Sequence, residues 1–175
     1  MDTETGLEAL PPETEVHGGF PVTARHQVPS AWTDYNGHMN EAHYVEIGSW
    51  ATDGLMGLVG ADEAYIAGGL SYFTVETHVR YLDEVLQDDT LTVSTQVLEG
   101  AAKKMHLFHR LWRSDGTLSA TVETFLLHID LKSRRSCPAT PLVEGKLVAM
   151  AQAHADQEAE GAGRFVGQRA TVKTS

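Results

Sequence analysis

The sequence predicts an α+β fold in which one antiparallel sheet wraps a single long helix. Three observations predict it. A helical pattern runs from Asn40 to Val59, with Tyr44, Ile47, Gly48, Ala51, Leu55 and Leu58 recurring on one face. Four strand-like segments follow it, separated by turn signals. One short strand candidate precedes it. A lone apolar helix beside a run of antiparallel strands buries its stripe when the sheet curls around it.

Each element has its own local reason. Residues 1–19 are rich in Glu, Thr, Gly and Pro and read as a loose acidic arm. Phe20–Val28 is the first strand candidate, and it opens a domain expected over residues 20–155. Asn40 is suited to cap the long helix, Glu41 and Glu46 lie towards its positive end, and Gly60 suits its stop. Gly48 and Gly54 inside it cost roughly 1 kcal/mol each against alanine. Gly48 lies on the apolar face, where it would let another backbone approach. After Gly68-Gly69 come Ser71–Tyr81, Thr90–Leu98, Lys104–Arg113 and Leu118–Ile129. In the second of these, Leu91, Val93 and Val97 alternate with Thr92, Ser94 and Gln96. Ser114-Asp115-Gly116 joins the third and fourth as a hairpin. Thr140 and Pro141 start a second helix that runs to about His154. From Asp156 to Ser175 no pattern is sustained, and the segment reads as a tail. A single sheet of this kind has an edge to protect, so pairing with a second copy is expected.

Directly in front of the long helix stands Asp34-Tyr35-Asn36-Gly37-His38-Met39-Asn40. It sets an acid, an amide and an imidazole at every second residue. On an extended segment Asp34, Asn36 and His38 would project to one side. The helix start offers free N–H groups and the positive end of a dipole. A carboxylate held there stays ionised, and the N–H groups can polarise a carbonyl oxygen. Those parts suit acyl transfer without a serine or cysteine nucleophile.

Composition removes several classes. The 175 residues are 42% hydrophobic, enough for one domain with a sizeable core. A net charge of −11 speaks against nucleic acid or an anionic membrane as partner. Within residues 103–146, however, eight Lys and Arg face four acids, which suits a small polyanionic ligand. One cysteine, Cys137, rules out an internal disulfide and fits a reducing compartment. Met1-Asp2-Thr3-Glu4 is no signal peptide, and no apolar run suggests a membrane span. A cytoplasmic location is expected. His38 and His43 do not share a helical face, and no HExxH or Cys/His cluster exists, so no metal is expected. There is no G-x-S-x-G elbow either.

The motif and the element order resemble the hotdog-fold acyl thioesterases of the 4-hydroxybenzoyl-CoA thioesterase-like group. The resemblance covers roughly residues 24–140. It rests on Asp34 before Gly37-His38-Met39-Asn40 and on Tyr44 in the following helix. The Asp34-x-Asn36-x-His38 spacing is also similar to the catalytic segment of plant acyl-ACP thioesterases. Closer still, Asp34 to Glu41 and Tyr72 to His78 resemble the betainyl-CoA thioesterase module associated with carnitine dehydrogenases. The resemblance implies a hotdog fold that dimerises through its sheet, with the pocket between subunits and the pantetheine arm on the partner chain. The assembly implied is a homodimer or tetramer. An acyl-CoA is the implied substrate, and no cofactor is implied. Asp34 would be the catalytic carboxylate, either attacking the thioester carbonyl or activating water. Asn36 and His38 would orient water or carbonyl, and the N–H groups of Asn40 and Glu41 would form the oxyanion hole.

The acyl pocket is read from the aromatics. Eight of the thirteen lie between residues 32 and 81: Trp32, Tyr35, Tyr44, Trp50, Tyr65, Tyr72, Phe73 and Tyr81. Several must be core. The rest can box a quaternary ammonium, each face contributing roughly 0.5–2 kcal/mol. Tyr65, Tyr72, Phe73 and Trp50 are the expected aromatic contacts and Glu76 the acidic one. Arg134 and Arg135, in the basic stretch, are the expected CoA phosphate contacts. The alternatives are a generic short-chain or aromatic acyl-CoA thioesterase, a hotdog dehydratase, and a non-catalytic acyl-CoA-binding protein.

Overall fold

The computed structural model of the protein describes residues 10–167. The elements in order are β1 (Val16–His17), β2 (Phe20–Gln27), α1 (Glu41–Val59), α2 (Glu63–Ala67), β3 (Leu70–Tyr81) and β4 (Thr90–Ala101). β5 (Lys104–Arg113), β6 (Leu118–Asp130), β7 (Arg135–Ser136) and α3 (Pro141–His154) complete them. The sheet is antiparallel, in the order β1-β2-β4-β5-β6-β3, with β7 on the end of β6. The expected elements are present, and β1, α2 and β7 are additions too short to carry a periodic signal.

α1 starts where Asn40 accepts the Ala42 N–H on its side chain at 3.0 Å, and it stops at Gly60 in the left-handed region. Its buried stripe is Tyr44, Ile47, Ala51, Leu55 and Val59, with Gly48 and Thr52 beside it. The stripe meets Leu91 and Val93 of β4, Leu107 and Leu111 of β5, and Val122 and Leu126 of β6. Burying a side chain of this kind contributes roughly 1.5–3 kcal/mol, so the stripe decides which face of the sheet the helix covers. A methyl on Gly48 would lie 2.7 Å from the Val122 side chain, whereas one on Gly54 would overlap the Thr23 carbonyl oxygen. The close backbone approach expected at Gly48 is thus made at Gly54, against β2.

α1 does not cover the sheet alone. α3 packs Val143, Leu147 and Met150 into the same core. β2 reaches β4 only as far as Ser94, so β4 beyond that point has a bare edge. α3 and the segment leading into it close it: Val97 N–H donates to His154 Nδ1 at 3.1 Å, and just past β4 Ala139 N–H donates to the Ala102 carbonyl at 2.6 Å.

The segment read as a tail from Asp156 is tied to the sheet over residues 157–163. The Gln157, Glu158 and Glu160 carbonyls accept from Gln96, Arg110 and Arg80. Gly163 N–H bonds the Glu123 carboxylate at 2.9 Å. Its anchors are side chains of distant strands, which is why no local pattern reveals it. The described part of the acidic arm is also attached, through β1 and the buried Leu10. Residues 1–9 and 168–175 lie outside the described residues.

β3 is an edge strand. It pairs β6 from Leu70↔Asp130 to Tyr81↔Ala120, with a register shift between Thr74 and Glu76. Thr74 to Thr77 are exposed.

Candidate active site

The motif before α1 is a tight turn, not the extended segment expected. Gly37 N–H donates to the Asp34 carbonyl at 3.0 Å, and Gly37 takes φ +80°. Asp34 N–H donates to the His38 carbonyl at 2.9 Å, and Thr33 bridges Met39 beside it. The Asp34 carboxylate closes the turn from within. Its Oδ1 accepts Asn36 N–H at 2.8 Å and His38 N–H at 3.3 Å. An aspartate that bonds N–H groups two and four residues on competes with extended pairing and curls the chain. The alternation to one side is lost, but the N–H groups remain on the acid. The Asn36 N–H above all holds its carboxyl below the usual range, so it is ionised at neutral pH. Among the described residues Oδ2 has only the Asn36 amide, at 3.5 Å. His38 places Nε2 3.2 Å from Glu84.

The structure corrects half of the expected oxyanion hole. Asn40 N–H donates to the Trp32 carbonyl at 2.8 Å, because the chain must be pinned there to enter the helix. Met39 N–H likewise donates to the Val85 carbonyl. Glu41 N–H, at the first helical position, has no intrahelical acceptor.

Asp34, His38 and Glu41 lie on a cavity of about 700 Å³. Its other walls are Tyr35, Met39 and Asn40 of the same segment, Tyr44 of α1, and the end of β3 with the loop after it, Tyr81 to Glu84. That loop is clamped from behind. Leu82 and Asp83 N–H groups donate to the Ser119 carbonyl, and Arg113 bonds the Asp83 carboxylate and the Glu84 carbonyl. His38 and Leu86 bridge across the cavity rim. Burial, reinforced by Tyr81 and the nearby carboxylates, pushes the Tyr44 hydroxyl up to about 12. Burial and then Glu41 push Tyr81 up as well.

None of the five expected acyl-pocket residues lines this cavity within one chain. Tyr65 hydroxyl bonds His128 Nε2 at 2.8 Å, and Tyr72 packs its ring on the same histidine in the core near α3. Trp50 lies on the outer side of α1 against His26 and Trp32. Phe73 lies under the Arg134 guanidinium, 4.9 Å from its ring centre. Glu76 is on the opposite face of the sheet, beside His106 and Glu123. The reason is topological. These residues sit on the first half of β3, on α2 or on the outer side of α1, and the cavity is at the other end of β3. Tyr81 and Glu84 line the cavity instead. The signal for Tyr81 was in the aromatic cluster, and nothing local singles out Glu84. Arg134 and Arg135 likewise stand at the Leu70 end of β3, since Asp130 pairs both Leu70 and Arg135. Among the described residues, no group of three or more His, Cys, Asp or Glu side chains is placed to hold a metal ion.

A turn-held carboxylate thus stands just before a helix that an antiparallel sheet wraps. The chain belongs to the thioesterase-like superfamily, whose family model matches residues 28–147. It has the hotdog fold. It is 46% identical over 146 residues to the L-carnitine dehydrogenase/betainyl-CoA thioesterase of Ruegeria pomeroyi, covering 83% of this chain and 30% of that protein. The chain thus spans about 30% of the length of the first curated relatives it matches. It is 40% identical over 139 residues to the betainyl-CoA thioesterase of Pseudomonas aeruginosa, covering 78% of this chain and 87% of that one. Among solved structures, a hypothetical protein of Staphylococcus aureus in complex with CoA matches with a TM-score of 0.71 and 27% identity. That match covers 76% of this chain and 85% of the other.

Proposed function

We propose that the protein hydrolyses an acyl-CoA thioester, with betainyl-CoA as its substrate. One observation carries the reading. The ionised Asp34 carboxylate and the unbonded Glu41 N–H stand on one cavity at a helix start. Asp34 either attacks the carbonyl carbon, with water then cleaving the anhydride, or draws a proton from water as the water attacks. Both routes break the C–S bond and leave the free acid and CoA thiol. Glu41 N–H receives the carbonyl oxygen as it gains charge. The names of the relatives support betaine as the acyl group.

A panel of acyl-CoA thioesters with a thiol-reactive dye tests this. Betainyl-CoA is expected to release thiol fastest. Binding without thiol release would favour a non-catalytic acyl-CoA binder, and water addition to an enoyl-CoA would favour a dehydratase.

We also propose a homodimer formed through β3. Its open edge and exposed Val75 support pairing with a second copy. An antiparallel two-fold pairing centred near Val75 and Glu76 sets the Leu70 end of one β3 against the Tyr81 end of the other. Arg134 and Arg135 of one protomer would then approach the Asp34 cavity of its partner, where CoA phosphates need them. Light scattering at assay concentration should report twice or four times the 19.1 kDa chain mass. An active monomer would refute this assembly. A cytoplasmic location is part of the same reading, supported by the free thiol of Cys137. No helix of the described residues is long and apolar enough to cross a membrane.

A further inference from the structure

We infer that Tyr81, with Tyr44 behind it and the Glu41 carboxylate beside it, forms the subsite that receives a positively charged acyl group. This rests on the acyl-CoA hydrolase reading and names the residues that set its specificity.

The argument starts from distance. In a betainyl thioester the quaternary nitrogen lies about 2.5 Å from the carbonyl carbon, the span of two bonds. A carbonyl presented to Asp34 therefore puts the cation in the same cavity. The rings available there are tyrosines. Tyr44 and Tyr81 stand at 86° with centroids 5.0 Å apart, forming two walls of a corner. Tyr44 is buried in α1, while Tyr81 is 50% exposed and so presents ring surface to the cavity. The Tyr81 hydroxyl donates to the Glu41 carbonyl at 3.3 Å, which ties the ring to the start of α1.

Charge points the same way. Within one chain the charged residues lining the cavity are Asp34, Glu41, Asp83 and Glu84, with one histidine and no lysine or arginine. Two of these acids are already engaged: Asp83 with Arg113, and Glu84 with His38. The Glu41 side chain makes no hydrogen bond or ion pair among the described residues. Both tyrosine hydroxyls resist ionisation in part because of this acidic surround. A quaternary ammonium has no N–H to donate, so ring faces and a free carboxylate are what can hold it. An acyl group ending in a carboxylate would be repelled.

The test compares betainyl-CoA with its neutral isostere, the 3,3-dimethylbutyryl thioester, by kcat/KM. Wild type should prefer the cation by about 10-fold or more. Tyr81→Leu should cut that preference by about 5-fold, within the range one cation–π contact spans. Tyr81→Phe keeps the ring and should retain the preference to within about twofold. Glu41→Gln should lower it too, and it decides the matter if Tyr81→Leu fails to fold by circular dichroism. A preference equal to wild type in both Tyr81→Leu and Glu41→Gln would overturn the assignment and leave hydrolysis standing. Equal rates for the two thioesters in wild type would overturn cation recognition altogether. If wild type releases thiol from neither, the hydrolase reading falls, and this assignment with it.

Discussion

Asp34→Asn should lower kcat by at least about 10²-fold, the usual scale for losing a positioned acid–base or nucleophilic carboxylate. The substitution isolates chemistry from folding. Asp34 Oδ1 accepts the Asn36 and His38 N–H groups, and an asparagine oxygen can accept the same two bonds. The turn is also closed by backbone bonds between Asp34 and Gly37 and between Asp34 and His38, which the side chain does not make. The variant should keep its circular dichroism spectrum and thermal midpoint. What it lacks is the negative charge that the proposed hydrolysis uses to attack the carbonyl or accept the proton of water. Near-normal turnover in a folded Asp34→Asn would remove Asp34 from the mechanism. His38→Ala should cost less, because the imidazole pairs with Glu84 and only the His38 backbone N–H bonds the carboxylate.

The second large effect is on stability. Two histidines are buried in a neutral form. His109 sits between α1 and the sheet, with Nε2 3.1 Å from Thr52 Oγ1 and Nδ1 2.8 Å from Thr95 Oγ1. Thr52 donates its hydroxyl proton to the Gly48 carbonyl, so it must accept from Nε2–H. Nδ1 then accepts from Thr95, whose oxygen accepts from Thr23 at 2.6 Å. A second ring proton would break this chain. Burial pulls His109 down to about 3. Burial and then the Arg110 charge pull His154 down to about 4, and its Nδ1 is occupied by the Val97 N–H.

The sign follows from linkage. An unfolded histidine titrates near 6.5, so below that pH the unfolded chain binds protons that the folded chain refuses. The stability from both residues is whole above about pH 6.5 and falls as the pH drops, towards about 4 for His154 and about 3 for His109. At pH 5 the loss should be about 2 kcal/mol per histidine, hence about 4 kcal/mol together. That is a large fraction of the roughly 5–15 kcal/mol of a typical domain. Urea unfolding at pH 7.5 and pH 5.0 measures it. His109→Gln should lose stability at pH 7.5 yet show about half the pH dependence. Equal unfolding free energies at the two pH values would refute the assignment of neutral, buried rings.

Several parts of the molecule were legible in the chain. β5 ends at Lys104 and Arg113, and α3 spans Pro141 to His154, as turn and cap residues imply. The register of α1 follows from its apolar spacing, because a helix with one buried stripe has one way to sit on a sheet. The Asp34 motif was legible too, being contiguous and placed at a helix start. Its shape was not. Alternation implied an extended segment, but Gly37 and the carboxylate's own N–H partners turned it.

What the sequence determined by itself is local: element type and bounds, the capped helix, the acid before it, and the family the motif resembles. Only the tertiary structure decided which aromatic meets that acid. Tyr81 lines the Asp34 cavity because β3 runs beside β6 at the sheet edge and ends at the start of α1. Tyr65, Tyr72 and Phe73, on α2 and the first residues of β3, are carried to the other end of that strand. The same holds for the segment after Asp156, whose partners are Gln96, Arg110, Arg80 and Glu123. Strand order and side-chain anchoring join residues about 40 to 80 positions apart. Propensity and spacing act over a few residues, so no periodicity within one segment carries that information.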